Sequence, residues 1–199
     1  MLVNLCSVVG REKGEGGDGE PASYYEYTSN KESGVFTASY SGHICDELMR
    51  LVDAIESASV KMETPILKVT IHLCSTGGNT KYSIMFVKYM KLLQKSNRAT
   101  FKIIANTNCC SAATYILAAA DTACIFSDTS FIVHSNYVEL DTIGAKKCVT
   151  QYNEKFAEMY SKRGKYTFQN FIELLNDQTK DYIFTPEAAL TAGFVDMVL

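Results

Sequence analysis

The feature that most restricts this fold is an apolar strand that runs directly into a glycine turn and then into a helix. In "ILKVTIHLC" (66–74), Leu67, Val69, Ile71 and Leu73 alternate with Lys68, Thr70, His72 and Cys74, the period-two signature of a strand. "STGGNT" (75–80) comes at once, and beyond it Tyr82, Met85, Phe86, Tyr89 and Leu93 fall at helical spacing. Strand, tight turn and helix form the first half of a parallel crossover unit. The unit recurs: "FKIIAN" (101–106) reads as a strand, "CCSAATYILAAA" (109–120) as a small-residue helix, and "ACIF" and "FIVH" as two further short strands. Such units imply an α/β fold with helices over a mainly parallel sheet and turns delivered to one sheet edge.

The flanking segments extend the pattern. A strand is expected over 35–40, followed by a helix with Ile44, Leu48, Leu51, Val52 and Ile55 on one face. Beyond Gly144, Cys148, Val149, Tyr152, Phe156 and Tyr160 form one stripe, closing at Lys162, Arg163 and Gly164. A second helix comes after Thr167, and the tail supplies Thr185 as N-cap, Pro186 at the first helical position, Gly193 as C-terminal glycine and a last short strand.

With 199 residues the chain fits one domain. The stretch 10–23, "GREKGEGGDGEPAS", has five glycines and almost nothing apolar, so residues 1–23 are expected to be a flexible segment ahead of a domain over 24–199. A formal net charge of −3 and no basic run interleaved with aromatics argue against a nucleic-acid partner. Seven cysteines, odd in number and without a C-x-x-C pair, indicate neither a disulfide framework nor a metal knuckle and suit a cytoplasmic protein. The apolar opening 1–9 lacks the flanks of a signal peptide, and no stretch reaches membrane-spanning length, so no membrane association is expected. No cofactor or metal is expected.

The candidate chemistry centres on Ser111, which directly precedes a helix. A serine hydroxyl becomes a nucleophile only when a base takes its proton and a third group holds that base. Of the three histidines, His43 precedes a helix, His72 lies on the outward parity of a strand, and His134 ends "SFIVH" where an apolar strand meets a loop. His134 is therefore the candidate base. Backbone donors for an oxyanion are offered by the glycine turn and by the N–H of Ala112 in the first helical turn. Each signal alone has a plainer meaning: a helix cap, a core histidine, a turn. Their order along the chain joins them.

That order resembles the Clp peptidase proteolytic subunit family of the crotonase-like superfamily, over about residues 34–199. "STGGN" resembles the family's S-P-G-G turn and "CCSAATYILAAA" the block that carries its nucleophile. "SFIVHS" resembles the strand that carries its base, and "DQTKDYIFTPEAALTAGFVDMVL" its C-terminal tail. The resemblance implies a ClpP/crotonase-like fold of repeated ββα units with a C-terminal helical and short-strand segment. It implies Ser111 as nucleophile, His134 as base, Asp181 as orienting acid, the amides of Gly77 and Ala112 as oxyanion hole, and Gly78 and Ser135 as substrate-binding residues. From the residues alone, Asp177, Asp181 and Asp196 stay equivalent choices. The activity implied is serine endopeptidase hydrolysis of peptide or unfolded protein through an acyl-enzyme, in a homo-oligomeric ring that can work with an AAA+ unfoldase.

The chain also departs from the family pattern. Thr76 replaces the proline of the turn, Ala112 and Ala113 replace Met-Gly, and "HSNYVELDTIGAKKC" lacks the glycines and Gln of the segment through which rings stack. "GREKGEGGDGE" does not resemble the pore-lining N-terminal segment. A single ring is therefore favoured over a double one, with the helix over 82–93 and Tyr152, Phe156 and Tyr160 expected to supply apolar contact to neighbours. Other readings weighed were a cysteine nucleophile at Cys110, a serine/lysine dyad, a crotonase-type acyl-CoA enzyme, an inert scaffold subunit, and a phage-type capsid maturation protease of the same fold.

Overall fold

The computed structural model describes residues 23–61, 63–136, 143–176 and 180–199. Most of the expected flexible segment, part of the altered stacking segment (137–142) and the carboxylate candidate Asp177 lie outside them. In chain order the elements are β1 (Tyr24–Asn30), β2 (Val35–Ser41), α1 (Glu47–Lys61), β3 (Leu67–Ser75), α2 (Thr80–Lys95), β4 (Ala99–Cys110) and α3 (Ala112–Ala118). They continue with β5 (Thr122–Ile125), β6 (Ser130–His134), α4 (Ile143–Arg163), α5 (Phe168–Asn176), β7 (Asp181–Phe184), α6 (Pro186–Ala192) and β8 (Met197–Val198). The fold is mixed α/β, with an eight-stranded sheet ordered β1-β2-β3-β4-β5-β8 and with β6 and β7 branching from β4.

The branch arises from the length of β4. Its residues Lys102–Ala105 pair in parallel with β5, while Asn108–Cys110 pair in parallel with β6. Between the two sets the strand bulges: Leu73 faces Ala105 and Ser75 faces Cys109, so two steps of β3 oppose four of β4. Thr107 absorbs the bulge at φ 54°. An insertion of this kind bends a strand and re-aims the residues beyond it. The Ala105 carbonyl, the last of the β5 register, accepts from the Phe126 N–H and the Thr129 hydroxyl, both at 3.1 Å.

The second layer is aromatic. Tyr115 of α3 stacks on Phe156 of α4 at 4.4 Å between centroids, and Tyr160, Phe171 and Phe194 pack edge-on or tilted around one another. Each ring so buried contributes on the order of 2 kcal/mol. The α4 face that turns inward is Val149, Asn153, Phe156, Ala157 and Tyr160; Cys148 is exposed and Tyr152 only half-buried. Phe156 and Tyr160 are therefore consumed by the subunit's own core and are not left for a neighbour, contrary to the sequence expectation.

Other differences have local causes. Cys109 and Cys110 end β4 and do not begin a helix, because the β6 register extends through Cys110. Two strands go beyond the sequence expectation: β1, which pairs antiparallel with β2, and β7, which pairs antiparallel with β6. Both gain their order from a partner, since neither alternates strongly by itself. Ser23 is buried and its hydroxyl donates to the His43 carbonyl at 2.7 Å. The tail matches the expectation closely: Thr185 caps α6 by accepting from the Ala188 N–H, and Gly193 ends it at φ 82°. Among the described residues no helix is long and apolar enough to cross a membrane.

Candidate active site

Ser111 occupies the corner between β4 and α3, with φ 54° and ψ −125°. An L-residue adopts these angles only at a cost, and such outliers gather at functional sites. A strand-to-helix corner of this kind also presents a nucleophile above the sheet edge. The corner is held by its backbone: the Ser111 N–H donates to the Ile132 carbonyl of β6 at 2.8 Å, and its carbonyl accepts from the Thr114 N–H at 3.0 Å and hydroxyl at 2.7 Å. The Ser111 side chain makes no capping bond. The plain helix-cap role is thus unfilled, and the hydroxyl is not committed to α3.

The glycine turn lies directly against this corner. A Cβ built on Gly77 would stand 2.6 Å from Ser111 Cβ and 2.9 Å from the Cys110 carbonyl oxygen, and φ there is 107°. Only glycine permits that approach. The Gly77 N–H, however, donates to the Ser75 hydroxyl at 3.1 Å. The Gly77 carbonyl accepts from the Ile44 N–H at 2.7 Å and the Asn79 N–H donates to the Ile44 carbonyl at 2.8 Å. In a trans peptide the N–H of Gly78 points opposite to the carbonyl of Gly77. It therefore points away from Ile44. Gly78 is locked into this bridge, because an added Cβ would meet Ile44 N and O at 2.6 Å.

His134 ends β6, two residues beyond the Ile132 that holds Ser111, and is half-buried. Its Nδ1 lies 2.6 Å from the Ser135 carbonyl oxygen. A carbonyl only accepts, so Nδ1 carries a hydrogen in this contact, which leaves Nε2 as the ring nitrogen that can act as a base. Asp181 begins β7 directly opposite His134 in the antiparallel register, where facing side chains share one face of the sheet. Asp181 is solvent-exposed, while Ala112, first residue of α3, is fully buried. At that position the N–H has no acceptor within its own helix.

The structure thus gathers Ser111, Ala112, Gly77, Gly78, His134 and Asp181 at the ends of β3, β4, β6 and β7. Ser135 is different: it is buried, and its hydroxyl bonds the Asn136 carbonyl at 3.0 Å and the Asn153 Nδ2 at 3.1 Å. Its side chain faces the interior polar cluster around Asn153. Burial pushes the Cys109 and Cys110 thiols up, so both are protonated near neutrality and Cys110 is a poor nucleophile. The described residues whose donor atoms could meet on a metal ion are Cys45, Asp46 and Glu47, within 4.8 Å of one another, and they take no part in this corner. Sequence reasoning missed Asn153 and the bond from the Gly77 N–H to the Ser75 hydroxyl. A lone Asn inside the apolar stripe of α4 was the available signal for the first.

Comparison with known proteins agrees with this architecture. Among curated proteins none matches the sequence. A solved structure of a ClpP1 point mutant from Listeria monocytogenes superposes with a TM-score of 0.63 at 16% sequence identity, covering 79% of this chain and 86% of that one. At that identity the likeness is one of fold. The family model described as Clp protease matches residues 38–199, which takes in every strand and turn of this corner, and the chain belongs to the Clp protease family.

Proposed function

We propose that the chain is a serine endopeptidase in which Ser111 attacks a peptide carbonyl. His134 Nε2 takes the hydroxyl proton as the bond to carbon forms and returns it to the leaving amine, and water then releases the acyl group by the same route. Asp181 stabilises the imidazolium from across the β6–β7 pair, with the Ser135 carbonyl on Nδ1 as a second acceptor. The oxyanion is received by the N–H groups of Ala112 and Gly78. Gly78 takes the place of Gly77 here because the Gly77 amide is already given to Ser75.

The observation that carries this reading is the strained Ser111 backbone beside a glycine that tolerates no side chain. An inert scaffold has no use for that strain. The test is covalent labelling of the full chain with a fluorophosphonate. Labelling at Ser111, lost in Ser111→Ala and reduced by several orders of magnitude in His134→Ala, is expected. A folded wild-type protein that does not label refutes it.

The substrate class is peptide or unfolded protein, and the working form is a homo-oligomer. Exposed Val60 on α1 and Leu92 on α2, 75% and 63% accessible, support association. Light scattering at micromolar concentration tests it: a monomer refutes assembly, and a double-ring particle refutes the preference for a single ring.

A further inference from the structure

Behind the proposed base lies a polar cluster that the reaction itself does not require. Asn153 is 1% exposed on the inward face of α4. Its Oδ1 accepts from the Asn136 N–H at 2.9 Å and from Asn136 Nδ2 at 2.8 Å. Its Nδ2 donates to the Ser135 hydroxyl at 3.1 Å and to the Leu175 carbonyl at 2.8 Å. Because a peptide N–H can only donate and a peptide carbonyl only accept, the orientation of this amide is fixed by its partners. Asn136 Oδ1 in turn accepts from the Thr80 hydroxyl at 2.6 Å, which ties the cluster to the start of α2, just past the glycine turn. Every valence of the Asn153 amide is used, and it joins α4 to the 135–136 segment and to α5.

One peptide plane links this cluster to His134. The Asn136 N–H that Asn153 holds and the Ser135 carbonyl that His134 Nδ1 meets at 2.6 Å belong to the same planar unit. Fixing one end of that plane aims the other, and accepting at one end polarises the bond at the other. We propose that Asn153 is a positioning residue for His134, acting through the 135–136 peptide to hold the imidazole by its Nδ1–H at the end of β6, beside the Ser111 corner. The inference rests on the reading of Ser111 as nucleophile and His134 as base. It assigns to a buried residue of α4 a part of the work otherwise given to Asp181 alone.

The test compares Asn153→Leu, which removes both amide functions at similar size, with Asn153→Asp, which keeps an oxygen for the Asn136 N–H but gives up the Nδ2 donor. The fluorophosphonate inactivation rate, thermal melting, and the nitrogen-15 NMR signature of the His134 imidazole, assigned by its absence in His134→Gln, are measured on the full chain. Asn153→Leu is expected to inactivate at least about tenfold more slowly and to lose the Nδ1–H signature, as small misplacements of a base do. Asn153→Asp is expected to melt lower yet keep the signature and a rate within about threefold of wild type, because the peptide clamp survives. A folded Asn153→Leu with wild-type rate and signature overturns the proposal, as does a folded Asn153→Asp that is as slow as Asn153→Leu. Should Asn153→Leu not fold, Asn153→Asp decides alone: the signature kept with a rate within about threefold of wild type supports the proposal, and a lost signature or a slower rate overturns it. A wild-type chain that never labels brings down the serine-peptidase reading instead, and the NMR signature still reports whether Asn153 holds the ring.

Discussion

Replacing Ser111 with glycine should destroy activity and yet stabilise the fold. At φ 54° and ψ −125° the Cβ of residue 111 is what makes the backbone costly, and strain of this type is worth about 2 kcal/mol. Glycine removes it. Against this gain stands the greater freedom of glycine in the unfolded chain, about 0.7 kcal/mol. The half-buried Cβ contact with Gly77 is also lost, about 0.4 kcal/mol. The net is about 1 kcal/mol in favour of Ser111→Gly over Ser111→Ala, which keeps the Cβ and removes only the hydroxyl. For a chain of this length that is a rise in melting temperature of about 2–4 °C. Calorimetry of the two variants side by side, with fluorophosphonate labelling absent from both, is the assay. If Ser111→Gly melts below Ser111→Ala, the corner stores no strain and the main support for a nucleophile there is removed.

The same geometry sets the outcome of other substitutions. Gly77→Ala places a methyl 2.6 Å from Ser111 Cβ at φ 107° and should cut the labelling rate by about a hundredfold; labelling at wild-type rate would show that the two segments are not in register. Arg163 donates to the Phe194 carbonyl at 2.9 Å and the Ala120 carbonyl at 2.7 Å and pairs with Asp196, so Arg163→Met should cost about 3 kcal/mol and about 6–12 °C by leaving those carbonyls unmet. An unchanged melting point would refute that role. Burial raises the Cys109 and Cys110 thiols while Cys148 is exposed, so mass spectrometry after brief alkylation of the native protein at about pH 8 should find Cys148 modified and the Cys109–Cys110 pair intact. Rapid modification of Cys110 would reopen a thiol nucleophile.

Sequence alone determined the elements whose signals are local. The alternation in β3, the helical spacing in α2 and the Thr185, Pro186 and Gly193 punctuation of α6 depend on period, capping and allowed φ, which neighbours a few residues apart decide. The places of Ser111 at a helix start and of His134 at a strand end were also legible, because both are local properties. Tertiary structure alone decided the rest. The bulge at Thr107 depends on how four residues of β4 match two of β3, and no local pattern encodes a register between strands. Which way the peptides of the glycine turn face depends on the pairing of Ile44 with that turn. Strands β1 and β7 exist because a partner strand supplies their hydrogen bonds, and Asp181 comes opposite His134 only through that pairing. The place of Asn153 behind Ser135 depends on α4 packing onto the end of β6, a contact between segments whose separation along the chain hides it from any reading of spacing.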